Sequence, residues 1–209
     1  MITMSSTSGA PDNFSELLSQ GAAALQAGNP QLAIAVWGEA ALHTPASGAP
    51  HFLIGSALAS QGEYEKAEAA FSNAVLLAPN FSIARYQLGL LQFSSGRAAL
   101  ALVMWQPILE TPNPTLEEQA LALFVRGYAA LAQDDFVTAL AHFREGIRIN
   151  NGNAAVSDDV NMVIERVEQL LTNVNTNPND LTDGKHAVAT GETDSHVLLS
   201  NYQNSSKLH

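Results

Sequence analysis

Histidine, cysteine and carboxylate side chains are the groups that most often form catalytic and metal sites. This sequence does not place them at the spacings of known catalytic or metal-binding motifs. The histidines are His43, His51, His142, His186, His196 and His209. No metalloprotease helix motif, phosphate-binding loop or dinucleotide-binding glycine pattern occurs. The absence of cysteine excludes disulfides, a thiol nucleophile and thiolate metal sites. We therefore predict a protein that is not an enzyme and that needs no cofactor.

One segment has a faint likeness to a calcium loop. Residues 179–184 offer asparagine, aspartate and threonine oxygens at short spacing. However, Leu181 stands where an oxygen ligand is needed, and Thr190 stands where the bidentate glutamate belongs. The sequence therefore predicts no metal site.

The charge balance limits the partners. The 209 residues carry a formal net charge of −11, which repels phosphate backbones and anionic membrane surfaces. Residues 1–12 contain no Lys or Arg and no apolar core, so they do not form a signal peptide. The most apolar segment, 98–109, is too short to span a bilayer. We predict no nucleic-acid binding, no membrane insertion and a cytoplasmic location.

Glycine, alanine and large aromatic residues recur every 34 residues. The middle copy contains Gly55, Gly62, Ala67 and Phe71. The following copy contains Gly89, Gly96, Ala101 and Trp105, and the preceding copy contains Gly21, Gly28, Ala33 and Trp37. A period held in three copies indicates one supersecondary unit stacked on itself.

Each unit has the pattern of a helical hairpin. In the middle copy, apolar residues lie three and four apart over 51–61 and again over 64–77, as on one face of a helix. Gly62 separates the two helices, because glycine reaches the left-handed conformation that ends a helix. Small residues such as Gly55 let the helices cross closely, and Phe71 fills the space beside them. By the same reasoning Trp37 and Trp105 are core residues rather than cofactor-stacking residues.

This pattern resembles the tetratricopeptide repeat. The matching residues are Ile54, Gly55, Gly62, Tyr64, Ala67, Phe71, Ala74 and Pro79. The resemblance covers residues 14–151 and implies an all-α fold, a right-handed superhelical solenoid of helix-turn-helix repeats with a C-terminal capping helix. The implied organisation is a leader (1–12), four repeats (14–47, 48–81, 82–113 and 115–151), the capping helix (154–172) and a disordered tail (173–209).

The fourth repeat departs from the others. An insertion around 111–114 shifts the period by four residues, and Thr115 with Glu118 forms a capping box that starts the next helix. Arg126 occupies a slot that is apolar in repeats 2 and 3, Asp134 replaces the turn glycine, and Gly146 replaces a late alanine. A second capping box, Asn13 with Glu16, is predicted to open the first helix at about residue 14.

The resemblance also implies a binding site, because first helices of this family line a concave groove. The residues at the corresponding positions are Leu18, Leu25, Phe52, Ser56, Tyr86, Phe93, Phe124, Tyr128 and Leu131. None of them is charged, so a terminal carboxylate would have nothing to pair with. The aromatic members predict an apolar trough, and exposed apolar strips of this kind usually mark interaction sites. The alternative is that some of these residues pack between adjacent repeats.

Three functions fit this sequence. The first is an adaptor or chaperone that holds an apolar or amphipathic segment of a partner protein in the groove. The second is a structural subunit of a larger secretion or envelope assembly, which packs through edge and convex surfaces. The third is a regulatory domain whose groove is closed by its own tail, through an apolar island at 196–202. The oligomeric state is left open by the sequence.

Overall fold

The fold is all-α over the part of the chain that the structure describes. The computed structural model describes the backbone of residues 11–176 and the side chains of residues 13–172. The helices are α1 (Pro11–Gln26), α2 (Pro30–His43), α3 (Ala49–Ser60), α4 (Tyr64–Leu77), α5 (Ser82–Ser94), α6 (Ala98–Leu109), α7 (Leu116–Leu131), α8 (Phe136–Ile149) and α9 (Ala154–Thr176). No strand forms between residues 11 and 176. The prediction of an all-α fold built from helix pairs is confirmed.

The chain divides into two compact units. In the first unit, Met1–Leu91, α1 pairs with α2 and α3 pairs with α4, and α2 also contacts α3. In the second unit, Gln92–His209, α7 pairs with α8, α6 contacts α7, and α9 packs against α8. Helix α5 runs across the boundary between the units.

Left-handed residues form the turn between the two helices of each repeat. Gly28, Gly62 and Gly96 have φ values of 75°, 76° and 82°. In the fourth repeat the same place is taken by Asp134, with φ of 56°. This conformation is unfavourable for a residue with a Cβ atom, although aspartate tolerates it better than most residues. The predicted role of the turn glycines is confirmed, and Asp134 adopts their conformation.

Of the two predicted capping boxes, the structure contains the one at the start of α7 and lacks the one at the start of α1. Thr115 Oγ1 accepts a hydrogen bond from the Glu118 N–H at 3.2 Å, and a Glu118 carboxylate oxygen accepts one from the Thr115 N–H at 2.9 Å. Helix α1 instead begins at Pro11, so Asn13 lies inside it and cannot cap it. Proline suits the first helical position because its missing N–H has no partner there anyway.

Close helix crossings depend on glycine. A Cβ atom added at Gly55 would lie 2.7 Å from the Phe71 ring, and one at Gly21 would lie 2.3 Å from Trp37 Nε1. In the second unit, a Cβ atom at Gly127 would lie 2.4 Å from Phe143. Only glycine permits such approaches, so the predicted pairing of a small residue with a large one is confirmed.

Helix α9 is longer than predicted and covers one side of α8. Its buried residues are Val156, Val160, Val163, Ile164 and Val167. Arg144 of α8 forms an ion pair with Glu168 of α9. The helix continues to Thr176 rather than ending near residue 172. The island at 196–202, the segment at 179–184 and residues 1–10 lie outside the described residues.

Candidate functional site

In the first unit, four of the predicted groove residues keep some accessible surface. Leu25 is 38% exposed, whereas Leu18, Phe52 and Ser56 are half-buried. The Leu18 carbonyl accepts a hydrogen bond from Trp37 Nε1 at 3.1 Å. The Ser56 hydroxyl donates to the Phe52 carbonyl at 3.0 Å, so its hydrogen is already used within α3.

Phe52 is held between two other aromatic rings. Its ring centroid lies 5.8 Å from that of Phe71 and 5.1 Å from that of Phe81. These distances and tilted orientations are favourable for aromatic pairs, so the ring is fixed in place. Its surface is accessible only in part.

The remaining five predicted groove residues are in the core. Tyr86 in the first unit is 1% exposed. In the second unit Phe93, Tyr128 and Leu131 are buried, and Phe124 is fully buried. The prediction that these five side chains form an accessible trough is wrong, because each has its surface covered within the fold.

An aromatic cluster explains the burial of Phe93 and Tyr128. The Tyr128 ring stacks on Trp105 at 5.4 Å and meets the edge of Phe143 at 5.0 Å. Phe93 lies 5.2 Å from Tyr128 and 5.9 Å from Trp105. The rings pack against one another because Gly127 leaves room for Phe143 beside α7.

Phe124 is buried because Gly146 on α8 leaves space for its ring. A Cβ atom at Gly146 would lie only 2.4 Å from the Phe124 ring, so the ring rests on the backbone of α8. The unusual Gly146 of the fourth repeat therefore makes room for a large side chain on α7. This pair, 22 residues apart in the sequence, is the signal that could have placed Phe124 in the core.

An apolar accessible surface lies on α6. One side of the helix is buried through Ala101, Trp105 and Ile108. The other side is open: Leu100 is 53% exposed and Val103 is 69% exposed. Other exposed residues on this side are Ala99, Leu102, Pro107 and Leu109. We call the exposed residues Ala99, Leu100, Leu102, Val103, Pro107 and Leu109 the α6 outer face.

The same repeat positions carry different residues on the other second helices. Leu100, Val103 and Pro107 correspond by sequence position to Thr138, Ala141 and Glu145 on α8. On α4 the corresponding residues are Lys66, Ala69 and Asn73, and on α2 they are Leu32, Ala35 and Glu39. All of these positions are exposed. Helix α6 contains no charged residue, whereas α2, α4 and α8 each contain at least one.

The α6 outer face also presents a backbone acceptor. Pro107 lies inside the helix and has no N–H, so the Val103 carbonyl receives no helical hydrogen bond from that position. Gln106 donates to Glu110 at 2.7 Å, and this pair marks the polar end of the face. The surface therefore combines apolar side chains with one carbonyl that lacks its usual helical donor.

Charged groups in the second unit are concentrated on α8 and α9. Bidentate hydrogen bonds from Arg148 hold the pKa of Glu145 below its ordinary value. Hydrogen bonds from the Thr138 hydroxyl and N–H lower the pKa of Asp135, which caps α8. Burial, with a smaller contribution from neighbouring Asp158, raises the pKa of Asp159. Glu145 and Asp135 support α8 and its first turn, whereas the charged form of Asp159 is disfavoured by its burial.

No group of three or more histidine and acidic side chains within residues 13–172 is placed to hold a metal ion. Between residues 11 and 176, no helix has both the length and the apolar character needed to cross a membrane.

The fold over the described residues is that of a helical-repeat protein. The family model described as "Tetratricopeptide repeat" matches residues 18–75 and 52–106. Residues 18–106 of the chain therefore match the tetratricopeptide-repeat family. No curated protein sequence matches it significantly.

Solved structures with a similar fold have little sequence in common with this chain. PilF from Pseudomonas aeruginosa aligns with a TM-score of 0.59 and 17% identity, over 96% of this chain and 91% of PilF. MamA from Desulfovibrio magneticus RS-1 aligns with a TM-score of 0.51 and 19% identity, over 84% of this chain and all of the MamA fragment. The O-GlcNAc transferase of Thermobaculum terrenum aligns at 0.51 and 20% identity, over 69% of this chain but only 27% of the enzyme. At these identities the likeness concerns the fold alone.

Proposed function

We propose that the protein is a non-enzymatic adaptor that binds an apolar or amphipathic segment of a partner protein on the α6 outer face. The observation that carries the proposal is the exposure of Leu100 and Val103 on a helix without any charge. Contiguous exposed apolar patches often mark interaction sites. The role of an interaction protein agrees with the family, and the choice of face is our proposal.

The charges around this face suggest the chemistry of the partner. The whole chain has a formal net charge of −11, and residues 92–172 contain ten acidic and five basic side chains. A partner segment flanked by Lys or Arg would be attracted to this unit, whereas an acidic segment would be repelled. We therefore expect an apolar segment with basic flanks, bound more weakly as the salt concentration rises. The absence of cysteine is consistent with the proposed cytoplasmic location.

The proposal is tested by affinity capture with the full chain. Leu100→Glu combined with Val103→Glu places two charges on the α6 outer face. Thr138→Glu combined with Ala141→Glu places the same charges at the same repeat positions of α8 and serves as the matched control. We expect the α6 double variant to lose a partner that the wild type and the α8 double variant retain, with unchanged thermal unfolding. Equal retention by all three proteins would reject the α6 outer face.

A second candidate surface is the accessible remainder of the predicted groove in the first unit. Leu25 and the partly exposed Phe52 ring favour it. A groove of this kind would suit the proposed chaperone, which holds its client between first helices. Leu25→Ser would weaken such binding with little effect on stability, because the side chain is already more than one third exposed.

An assembly subunit is the remaining proposal from the sequence. Packing through second helices would use the same α6 outer face but would give a fixed stoichiometry. Sedimentation analysis of the captured complex distinguishes the two: an adaptor gives a complex with one client, whereas a subunit gives repeated copies of the chain.

A further inference from the structure

We propose that the α6 outer face is covered in the free protein by the chain's own C-terminal segment, residues 195–206. This inference rests on the proposed function, since it describes how access to the proposed binding face is regulated. The segment lies outside the described residues, and the argument uses its sequence and its point of attachment alone.

The size of the face suits a single short segment, and tethering strengthens the binding of such a segment. A helix of 12 residues is about 18 Å long and about 10 Å wide, so one side offers a footprint of roughly 200 Å². A stable complex between separate proteins buries about 800 Å² on each partner. The α6 outer face is therefore too small for a folded second copy of the chain, whereas a single short segment fits it. A segment of the same chain binds intramolecularly, at an effective concentration that reaches about the millimolar range.

The attachment point brings this segment within reach. Helix α9 ends at Thr176, in the same compact unit as α6, and His196 follows 20 residues later. Helices α6 and α7, α7 and α8, and α8 and α9 are in contact. With about 10 Å between neighbouring axes, α6 and α9 are at most about 30 Å apart. Twenty residues reach up to about 66 Å when extended, so the connection is long enough.

The composition of the segment matches the face. Residues 195–206 contain no Asp, Glu, Lys or Arg, and α6 is also uncharged, so docking leaves no charge buried and unpaired. Val197, Leu198 and Leu199 provide an apolar surface. Asn201 and Tyr202 add hydrogen-bond donors to the segment.

The absence of cysteine allows a direct test in the full chain. Val103→Cys places a single thiol on the α6 outer face, and Ala141→Cys places one at the same repeat position on α8. The rate of alkylation by iodoacetamide, a neutral reagent, is measured for both proteins. Each rate is measured again after Leu198→Ser and Leu199→Ser are introduced together, which removes apolar surface from the segment without adding charge.

We expect the Val103→Cys thiol to react about tenfold faster once the segment is changed, if the effective concentration is ten times the dissociation constant. The Ala141→Cys thiol is expected to react at the same rate in both backgrounds. An unchanged Val103→Cys rate would overturn the inference. Protection that increases with protein concentration would also overturn it, because a second copy would then be the occupant.

The alkylation test of internal docking and the capture test of the adaptor surface can fail independently of each other. If the segment change raises the alkylation rate but Leu100→Glu with Val103→Glu retains every partner, the internal docking stands and the adaptor surface fails. If the alkylation rate is unchanged while the same glutamate pair loses its partner, the adaptor surface stands and the internal docking fails. If both hold, the segment change is expected to strengthen partner binding by the same factor of about ten.

Discussion

Helices α6 and α8 are the second helices of consecutive repeats, yet the side chains they expose to solvent differ in polarity. On the buried side they are alike: Ala101 and Trp105 of α6 correspond to Ala139 and Phe143 of α8, and all four are almost completely buried. On the exposed side α6 carries leucine, valine and proline, whereas α8 carries threonine, alanine and glutamate. The repeat fold determines the inner side in both helices. The outer side is free to vary, and its apolar character on α6 points to function.

The charges of α8 strengthen this contrast. Arg148 and Glu145 form an ion pair along the helix, and Arg144 reaches across to Glu168 of α9. Exposed ion pairs of this kind contribute little to stability, but they keep a helix surface solvated. Nothing similar is found within α6. The two helices can therefore be tested against each other by substitutions on their inner and outer sides.

The largest effect is expected from the inner side of α6. Trp105→Ala removes a fully buried indole and leaves a cavity, so it should lower the free energy of unfolding by about 3–5 kcal/mol. Val103→Ala, two residues away on the outer face, should change it by no more than about 0.5 kcal/mol. Urea unfolding of both variants measures the difference. Similar losses for the two would contradict the exposed position of Val103 in the fold.

The next effect concerns the inner side of α8. Gly146→Ala adds a Cβ atom that would lie 2.4 Å from the buried Phe124 ring, and overpacking of this kind costs about 1–3 kcal/mol. The matched control is Gly38→Ala on α2, where an added Cβ atom would have no neighbour within 4 Å. Alanine is the better helix former there, so the control should be stabilised by about 0.5–1 kcal/mol. Stabilisation by both substitutions would show that Phe124 does not rest on α8.

A smaller effect is expected in the turn that leads into α8. Asp134 has the left-handed conformation that glycine adopts in the first three repeats. Asp134→Gly should therefore raise the free energy of unfolding by about 1 kcal/mol, and Gly62→Asp should lower it by a similar amount. Thermal unfolding measures both. A destabilising Asp134→Gly would mean that the aspartate side chain contributes more than its backbone conformation costs.

The smallest effect is a pH dependence of protein stability that arises from Asp159 in α9, the helix that packs against α8. Burial raises the pKa of Asp159, so the folded protein binds this proton more tightly than the unfolded chain. The stability contributed by this group is therefore greatest below its ordinary pKa of 3.8 and declines as the pH rises through the raised folded value. Asp159→Asn should stabilise the protein at pH 7 and have a smaller effect at pH 4. An effect of the same size at both values would contradict this assignment.

The sequence predicted the repeat architecture well because its signals are local. Gly28, Gly62 and Gly96 mark turns through a conformation that few other residues adopt, and Thr115 with Glu118 marks a helix start within four residues. The 34-residue period then placed Trp37, Phe71 and Trp105 in the core, where the structure has them.

The candidate site was harder to predict because exposure depends on residues that are distant in the sequence. Phe124 occupies a position that faces the groove in the family, but Gly146 on the next helix opens space that the ring fills. Helix α6 is apolar around most of its circumference, a composition typical of buried helices. Its exposure follows from which neighbours pack against it, and that information is in the fold rather than in the helix itself.

The most direct test of the α6 outer face is calorimetric titration of the captured partner into the wild type, the Leu100→Glu/Val103→Glu variant and the Thr138→Glu/Ala141→Glu variant. Burial of apolar surface gives a negative heat-capacity change on binding. We predict this signature for the wild type and the α8 double variant, with an affinity at least tenfold lower for the α6 double variant. Equal affinities and heat-capacity changes for all three proteins would contradict a binding role for the α6 outer face.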